Sequence, residues 1–137
     1  MKKIIYLVSI LMLFSCQKPG FRIHGDVTGI EDGTMVYLKL VGPPATVIDS
    51  AVITQGKFEF KGEDTPKPLW ATLSFKDKFV PLADFYLENG DISVKGERYH
   101  CEVTGTKTNE EYIVFNRDVN SMYGVMSNLH SLLAQHD

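Results

Sequence analysis

The sequence predicts a mainly β protein: an antiparallel β-sandwich of about eight strands, followed by one carboxyl-terminal amphipathic helix. Three observations carry that expectation. Between Phe21 and Gly105, apolar and polar residues alternate at the period of two that a half-buried strand requires. Glycines, prolines and Asp-Gly or Asn-Gly pairs break these runs every few residues, leaving no room for helices between them. After Gly105 the apolar spacing changes to three and four, which places those residues on one face of a helix.

The first run sets Phe21, Ile23 and Val27 on one side and His24 and Asp26 on the other. Asp32-Gly33 predicts a tight turn into Val36, Leu38 and Leu40, which alternate with Tyr37 and Lys39. Gly42-Pro43-Pro44 ends that strand, because proline has no N–H to donate to a ladder. Val47 to Ile53 follows, Gln55-Gly56 turns the chain, and Phe58 and Phe60 alternate with Lys57, Glu59 and Lys61, together forming the clearest hairpin. Pro66 and Pro68 mark a loop before Leu69, Ala71, Leu73 and Phe75, with Trp70 on the opposite face. Phe85 and Leu87 lead into Asn89-Gly90, a second hairpin signal, and then Ile92 and Val94. Gly96 begins the turn into Tyr99–Val103. Parallel neighbours need crossovers of about a dozen residues, so these short connections predict antiparallel pairing throughout. Two such sheets cover each other's apolar faces.

Thr108, with Glu111 three residues later, reads as a capping box opening a helix. Tyr112, Phe115, Val119, Met122, Met126, Leu129 and Leu133 then form one apolar stripe over about six turns. Such a stripe either folds back over the sandwich or pairs with another helix, and Gly124 weakens the helix by roughly 1 kcal/mol relative to alanine. No glycine or proline stops it near Asp137, as expected if more protein follows.

The amino end has a different character. Lys2 and Lys3 precede 11 uncharged, mostly apolar residues from Ile4 to Phe14. That is shorter than the ~20 residues a membrane-spanning helix needs, and has the form of a secretory signal. The break Leu13-Phe14-Ser15-Cys16 resembles a lipobox, the sequence read by bacterial lipoprotein processing. The resemblance implies a diacylglyceryl group on Cys16, cleavage after Ser15 and acylation of the new amino end. A globular strand or helix with an incidental cysteine would not require that order of features. Two or more acyl chains anchor a protein stably. Lys18 is not the aspartate of an inner-membrane retention signal, so the expected address is the outer membrane of the cell envelope. The organisation expected is a signal peptide over 1–15, a lipidated tether over 16–20, the sandwich over 21–105 and a connecting helix over 106–137.

Without residues 1–15 the chain has 122 residues, enough for one domain. Loss of Lys2 and Lys3 leaves 12 basic against 17 acidic side chains, a net of −5, with no basic stripe of the kind nucleic acid binds. Once Cys16 carries lipid, Cys101 is the only thiol, and there is no Cys-x-x-Cys for dithiol exchange. Cys101 shares a strand face with Tyr99 and Val103 and reads as a small buried hydrophobe, with His100 pointing the other way. His24, His100, His130 and His136 lack zinc-site spacing, and Asp49-Ser50 lacks a nucleophile elbow. Asp84, Glu88, Asp91 and Glu102 read as ordinary surface acids rather than a glycosidase pair. No catalytic, metal or cofactor site is expected.

The run Phe21-Arg22-Ile23-His24-Gly25-Asp26-Val27-Thr28-Gly29 and the pieces Asp32–Leu38, Ile48–Val52, Gly56–Gly62, Phe85–Gly90 and Val103–Asn109, in that order, resemble a known family. It is the uncharacterised β domain of Bacteroidetes lipoproteins, commonly placed ahead of a thioredoxin-like domain. The resemblance implies envelope thiol-disulfide exchange for the larger assembly. The redox pair of such proteins lies in the downstream domain, so no catalytic residue carries over to this chain.

Three functional expectations follow. The first is a non-catalytic, lipid-anchored accessory domain that positions or dimerises a thioredoxin-like module, through a protein partner or a missing carboxyl-terminal domain. The second is a stand-alone envelope lipoprotein binding a protein or glycan through aromatics such as Tyr37, Trp70, Phe79, Tyr86 and Tyr99. The third is the amino-terminal fragment of a thiol-disulfide oxidoreductase. The candidate partner surface is Trp70 and Tyr86, off their strands' main apolar parity, with the stripe from Tyr112 to Leu133, which also offers a route to a homodimer.

Overall fold

The computed structural model describes residues 20–76 and 80–135. The signal peptide, Cys16, most of the tether, Phe79 and His136 lie outside the described residues. Eight strands precede one helix: β1 (Phe21–Thr28), β2 (Met35–Leu40), β3 (Thr46–Val52), β4 (Lys57–Gly62), β5 (Leu69–Ser74), β6 (Ala83–Leu87), β7 (Gly90–Glu97), β8 (His100–Thr104) and α1 (Lys107–Ala134). They form two four-stranded sheets, ordered β4-β1-β7-β8 and β3-β2-β5-β6. The mainly β sandwich with a carboxyl-terminal helix is thus the observed fold.

Alternation along the strands builds the core as the pattern requires. Ile23, Val27, Phe60, Ile92 and Val94 point inward from the first sheet, and Val36, Leu38, Leu73, Phe85 and Leu87 from the second; all are buried. Their polar neighbours face water: Arg22–Glu59 and Lys57–Asp26 form exposed ion pairs on the first sheet's outer face, and His24 Nε2 lies 3.8 Å from the Asp91 carboxylate. Such pairs add little stability. Two cross-strand glycines shape the β1–β4 ladder. Phe58 lies over Gly25 and Phe21 over Gly62, so that a Cβ at either glycine would overlap the ring. The missing side chains are the seats for those rings.

Three connections differ from the sequence expectation. Gln55-Gly56 does turn tightly, with both residues at positive φ and paired Thr54–Lys57 backbone hydrogen bonds of 2.9 and 3.0 Å. Beyond that one rung, however, β3 and β4 part into different sheets. The apparent hairpin is a corner between layers, and the core partners of Phe58 and Phe60 lie beside β1. Asn89-Gly90 likewise joins β6 of one sheet to β7 of the other. Its asparagine accepts from the Thr65 N–H at 2.9 Å and its amide donates to Asp64 and to the Thr65 carbonyl, so it ties the β4–β5 loop to this corner.

The third difference is that β1 and β7 pair parallel, over eight residues from Phe21–Gly90 to Thr28–Glu97. The crossover argument holds for consecutive strands. β1 and β7 are separated by five strands, so the intervening chain easily covers the return. The other strand pairs are antiparallel. β3 departs in burial as well: it is an edge strand with a register shift opposite Leu38 and Lys39, and Val47, Ile48 and Val52 stand exposed.

Candidate functional site: the root and the free face of the helix

The helix begins where the sandwich closes. Gly105, at φ 95°, turns the chain out of β8, and Thr106 in extended conformation is the N-cap. The cap is therefore two residues earlier than the expected Thr108–Glu111 box. Position N3 is Asn109, whose amide donates to Thr106 Oγ1 at 2.8 Å. Glu111 instead lies 3.7 Å from Lys107 in an exposed pair.

Asn109 decides this register. It is 1 % exposed, the one buried residue of the helix among those described. Its Oδ1 accepts from the Tyr86 N–H and its Nδ2 donates to the Tyr86 carbonyl, both at 2.8 Å. Tyr86 lies in β6, the edge of the second sheet, so one side-chain amide satisfies main-chain groups that a further strand would otherwise take. Glu88, just past β6, completes the anchor. Its carboxylate accepts from the Thr108 N–H at 2.9 Å and from the Thr108 hydroxyl at 2.8 Å. An acid beside otherwise unpaired first-turn N–H groups is favourably placed against the helix dipole.

Beside these bonds the structure brings together three of the sequence-predicted surface residues. Trp70 and Tyr86 face each other across β5 and β6, and Tyr112 of the helix closes over both. Ring centroids are 4.9 Å apart for Trp70–Tyr86, 5.3 Å for Trp70–Tyr112 and 5.6 Å for Tyr86–Tyr112, all edge-to-face. Each such contact is worth about 0.5–1.5 kcal/mol beyond its buried area. The three rings are half-buried against one another. They form a hinge plate for the helix, and only their outer portions remain available to a ligand.

The rest of the stripe is placed differently. Asn109, Tyr112, Ile113 and Asn116 are the side that meets the sandwich, and Val119 is still half-buried. Phe115, Met122, Met126, Leu129 and Leu133 are between 56 % and 65 % exposed. Every described residue from Asn120 onward is exposed, so the helix does not fold back over a sheet. A projecting rod leaves an apolar face that no other described residue of its own chain covers.

Under the helix, a groove of about 410 Å³ runs past Asp84, Cys101, Glu102, Tyr112, Asn116 and Arg117. It mixes two carboxylates with a guanidinium and a thiol. The Cys101 thiol contacts the Glu97 carbonyl at 3.3 Å, and burial pushes its pKa up, so it stays protonated at neutral pH and is a poor nucleophile. His100 is exposed on the adjacent position. Of the other surface acids, Glu88 is committed to Thr108, and Asp91 is exposed, 3.8 Å from His24. Among the described residues no three His, Cys, Asp or Glu side chains are grouped to hold a metal ion, and no helix is long and apolar enough to cross a membrane.

Sequence reasoning missed Asn109 and Glu88. An asparagine in a helix's first turn and a glutamate before Asn-Gly are ordinary surface choices, and only the long-range meeting of β6 with the helix start gives them a task.

No curated protein and no solved structure matches the chain. A family model described as a domain of unknown function, DUF4369, matches residues 21–112, from the first residue of β1 to the tyrosine that closes the ring cluster. Sandwich and helix root together make up the matched unit, and the chain belongs to that family.

Proposed function

We propose that this chain is a non-catalytic accessory domain of the cell envelope, anchored to the outer membrane by lipid on Cys16. In this reading it holds a thioredoxin-like thiol-disulfide exchange module at a set distance from the membrane. The module is either carried on the same polypeptide or encoded separately. The observation that carries the reading is the rooted helix. Its first turn is fixed to an edge strand by Asn109 and Glu88, while its distal half is exposed among the described residues. A rod of 28 residues held rigidly at one end, roughly 40 Å long at 1.5 Å per residue, suits a spacer. The signal-like amino end supports the anchor, and the protonated thiol and absence of Cys-x-x-Cys support chemistry located elsewhere.

Fractionation of cells making the native chain and Cys16→Ser tests the anchor. The native chain should stay in the membrane fraction through high salt and alkaline carbonate, and leave it only with detergent. The native chain should also take up a tagged fatty acid fed to the cells, and Cys16→Ser should not. A native chain that takes up no label, or that salt or carbonate releases, would overturn the proposed anchor.

A further inference from the structure

We propose that the free face of α1 is a seam for the same helix of a second copy, forming a parallel, two-stranded coiled coil. The argument begins with spacing. From Phe115 the apolar side chains fall at 115, 119, 122, 126, 129 and 133, steps of 4, 3, 4, 3 and 4 without interruption. That is the 3.5-residue period of a heptad seam, with Val119, Met126 and Leu133 at a positions and Phe115, Met122 and Leu129 at d. A helix lying on a flat sheet or a globular neighbour needs only a broad apolar side. Strict alternation of three and four keeps a narrow seam against another helix.

The seam is also accessible. The residues that touch the sandwich sit roughly 100° round the helix from it, at 100° per residue. A second helix can therefore lie along Phe115–Leu133 without displacing the Trp70–Tyr86–Tyr112 contact. Five of the six seam residues, and Val125 and Leu132 at the flanking g positions, are between 56 % and 65 % exposed. Complete cover of these seven side chains would bury at most roughly 700 Å² per copy, against the ~800 Å² per partner of a standard stable interface.

The charges point to a second copy. No charged residue occupies an a or d position between Phe115 and Leu133. In parallel register the g positions Glu111, Asp118 and Val125 face Asn116, Tyr123 and His130 of the other copy, so no like charges oppose. The same register matches each seam side chain with its own kind. The parallel sense rests on the proposed anchor, since two copies held to one membrane near their amino ends send their helices the same way.

Cross-linking of the full chain in the membranes of cells that make it tests the seam, in a Cys101→Ser background. Phe115→Cys and Leu129→Cys should each give an oxidant-dependent dimer, because only a parallel, in-register pair brings both residues against their own copies. Ser127→Cys, off the seam, should give at least tenfold less. Absence of dimer at both seam positions, or equal dimer at Ser127→Cys, would overturn the proposal. Sedimentation of the full chain in density-matched detergent gives an independent reading. The native chain should show a dimer mass, and Met122→Glu/Met126→Glu should weaken association at least tenfold. A native monomer, a larger assembly, or a variant that remains dimeric would refute the two-stranded seam. Detergent-dependent membrane attachment through Cys16 would be retained in each of those outcomes, which separates failure of the seam from failure of the anchor.

Discussion

Asn109→Ala removes the side chain that ties the helix to the sandwich. The methyl group cannot accept from the Tyr86 N–H, nor donate to the Tyr86 carbonyl or to Thr106, three bonds of 2.8 Å in the native chain. A polar group left buried without a partner costs about 1–3 kcal/mol. Tyr86 is half-buried, so water recovers part of this for its two main-chain groups. A loss of about 2–4 kcal/mol is expected, against the ~5–15 kcal/mol that holds a typical domain folded. In a domain of this size that lowers Tm by at least about 8 °C. Urea unfolding followed by fluorescence is well suited, because Trp70 is the sole tryptophan and lies 5.3 Å from Tyr112 at the helix root. Asn128→Ala, on the exposed distal helix, serves as the control and should stay within ~0.5 kcal/mol of the native chain. Equal, small effects at Asn109 and Asn128 would refute the claim that the amide roots the helix.

Four further outcomes are expected. Gly56→Ala should cost at least ~2 kcal/mol in urea unfolding, since its Cβ would strike the Val27 carbonyl at φ 75°; Gly33→Ala, at φ 86° with open space around it, should cost only the ~1 kcal/mol of the backbone conformation. Gly124→Ala, with nothing near its Cβ, should raise helical circular dichroism by removing a penalty of roughly 1 kcal/mol, and should slow amide exchange in the distal helix. A double-mutant cycle of Glu88→Ala with Thr108→Ala should give a coupling of about 1 kcal/mol, from the charge-assisted bond that the Thr108 hydroxyl donates, partly open to water. For Cys101, burial holds the proton on the folded thiol to a higher pH than on the unfolded one. Its effect on stability is therefore absent below the ordinary thiol range near pH 8.5 and appears as a loss when pH rises through it. Urea midpoints at pH 7 and 9.5 should show a decline that Cys101→Ser reduces.

The parts of the fold that alternation controls were legible in the sequence. Ile23, Phe60, Leu38, Leu73 and Ile92 went to the core because period-two burial is a local property of each strand. Sheet membership is not local. Gln55-Gly56 and Asn89-Gly90 have the composition of hairpin turns, and the first even makes the turn. Whether flanking strands then pair depends on which sheet offers a partner, and β1 offers one to both β4 and β7. The same reason hid the helix root. Thr108 and Glu111 satisfy a local capping pattern, but Asn109 and Glu88 gain more by meeting the edge of β6, and the cap shifts to Thr106. The apolar stripe was legible as a period, and its exposure was not, because a period says which residues share a face without saying what covers it.

The central claim is that this domain works from a membrane, as the lipid-anchored base for a thiol-disulfide exchange module. The intact mass of the native protein, extracted in detergent from the cells that make it, tests that claim most directly. The account predicts a chain beginning at Cys16 that carries a diacylglyceryl group and an amino-terminal acyl chain. A mass for residues 16–137 with these groups means the module is a separate protein, and a mass larger by 100 residues or more means it is carried on the same polypeptide. A chain that retains residues 1–15, or one with an unmodified Cys16, would contradict the account.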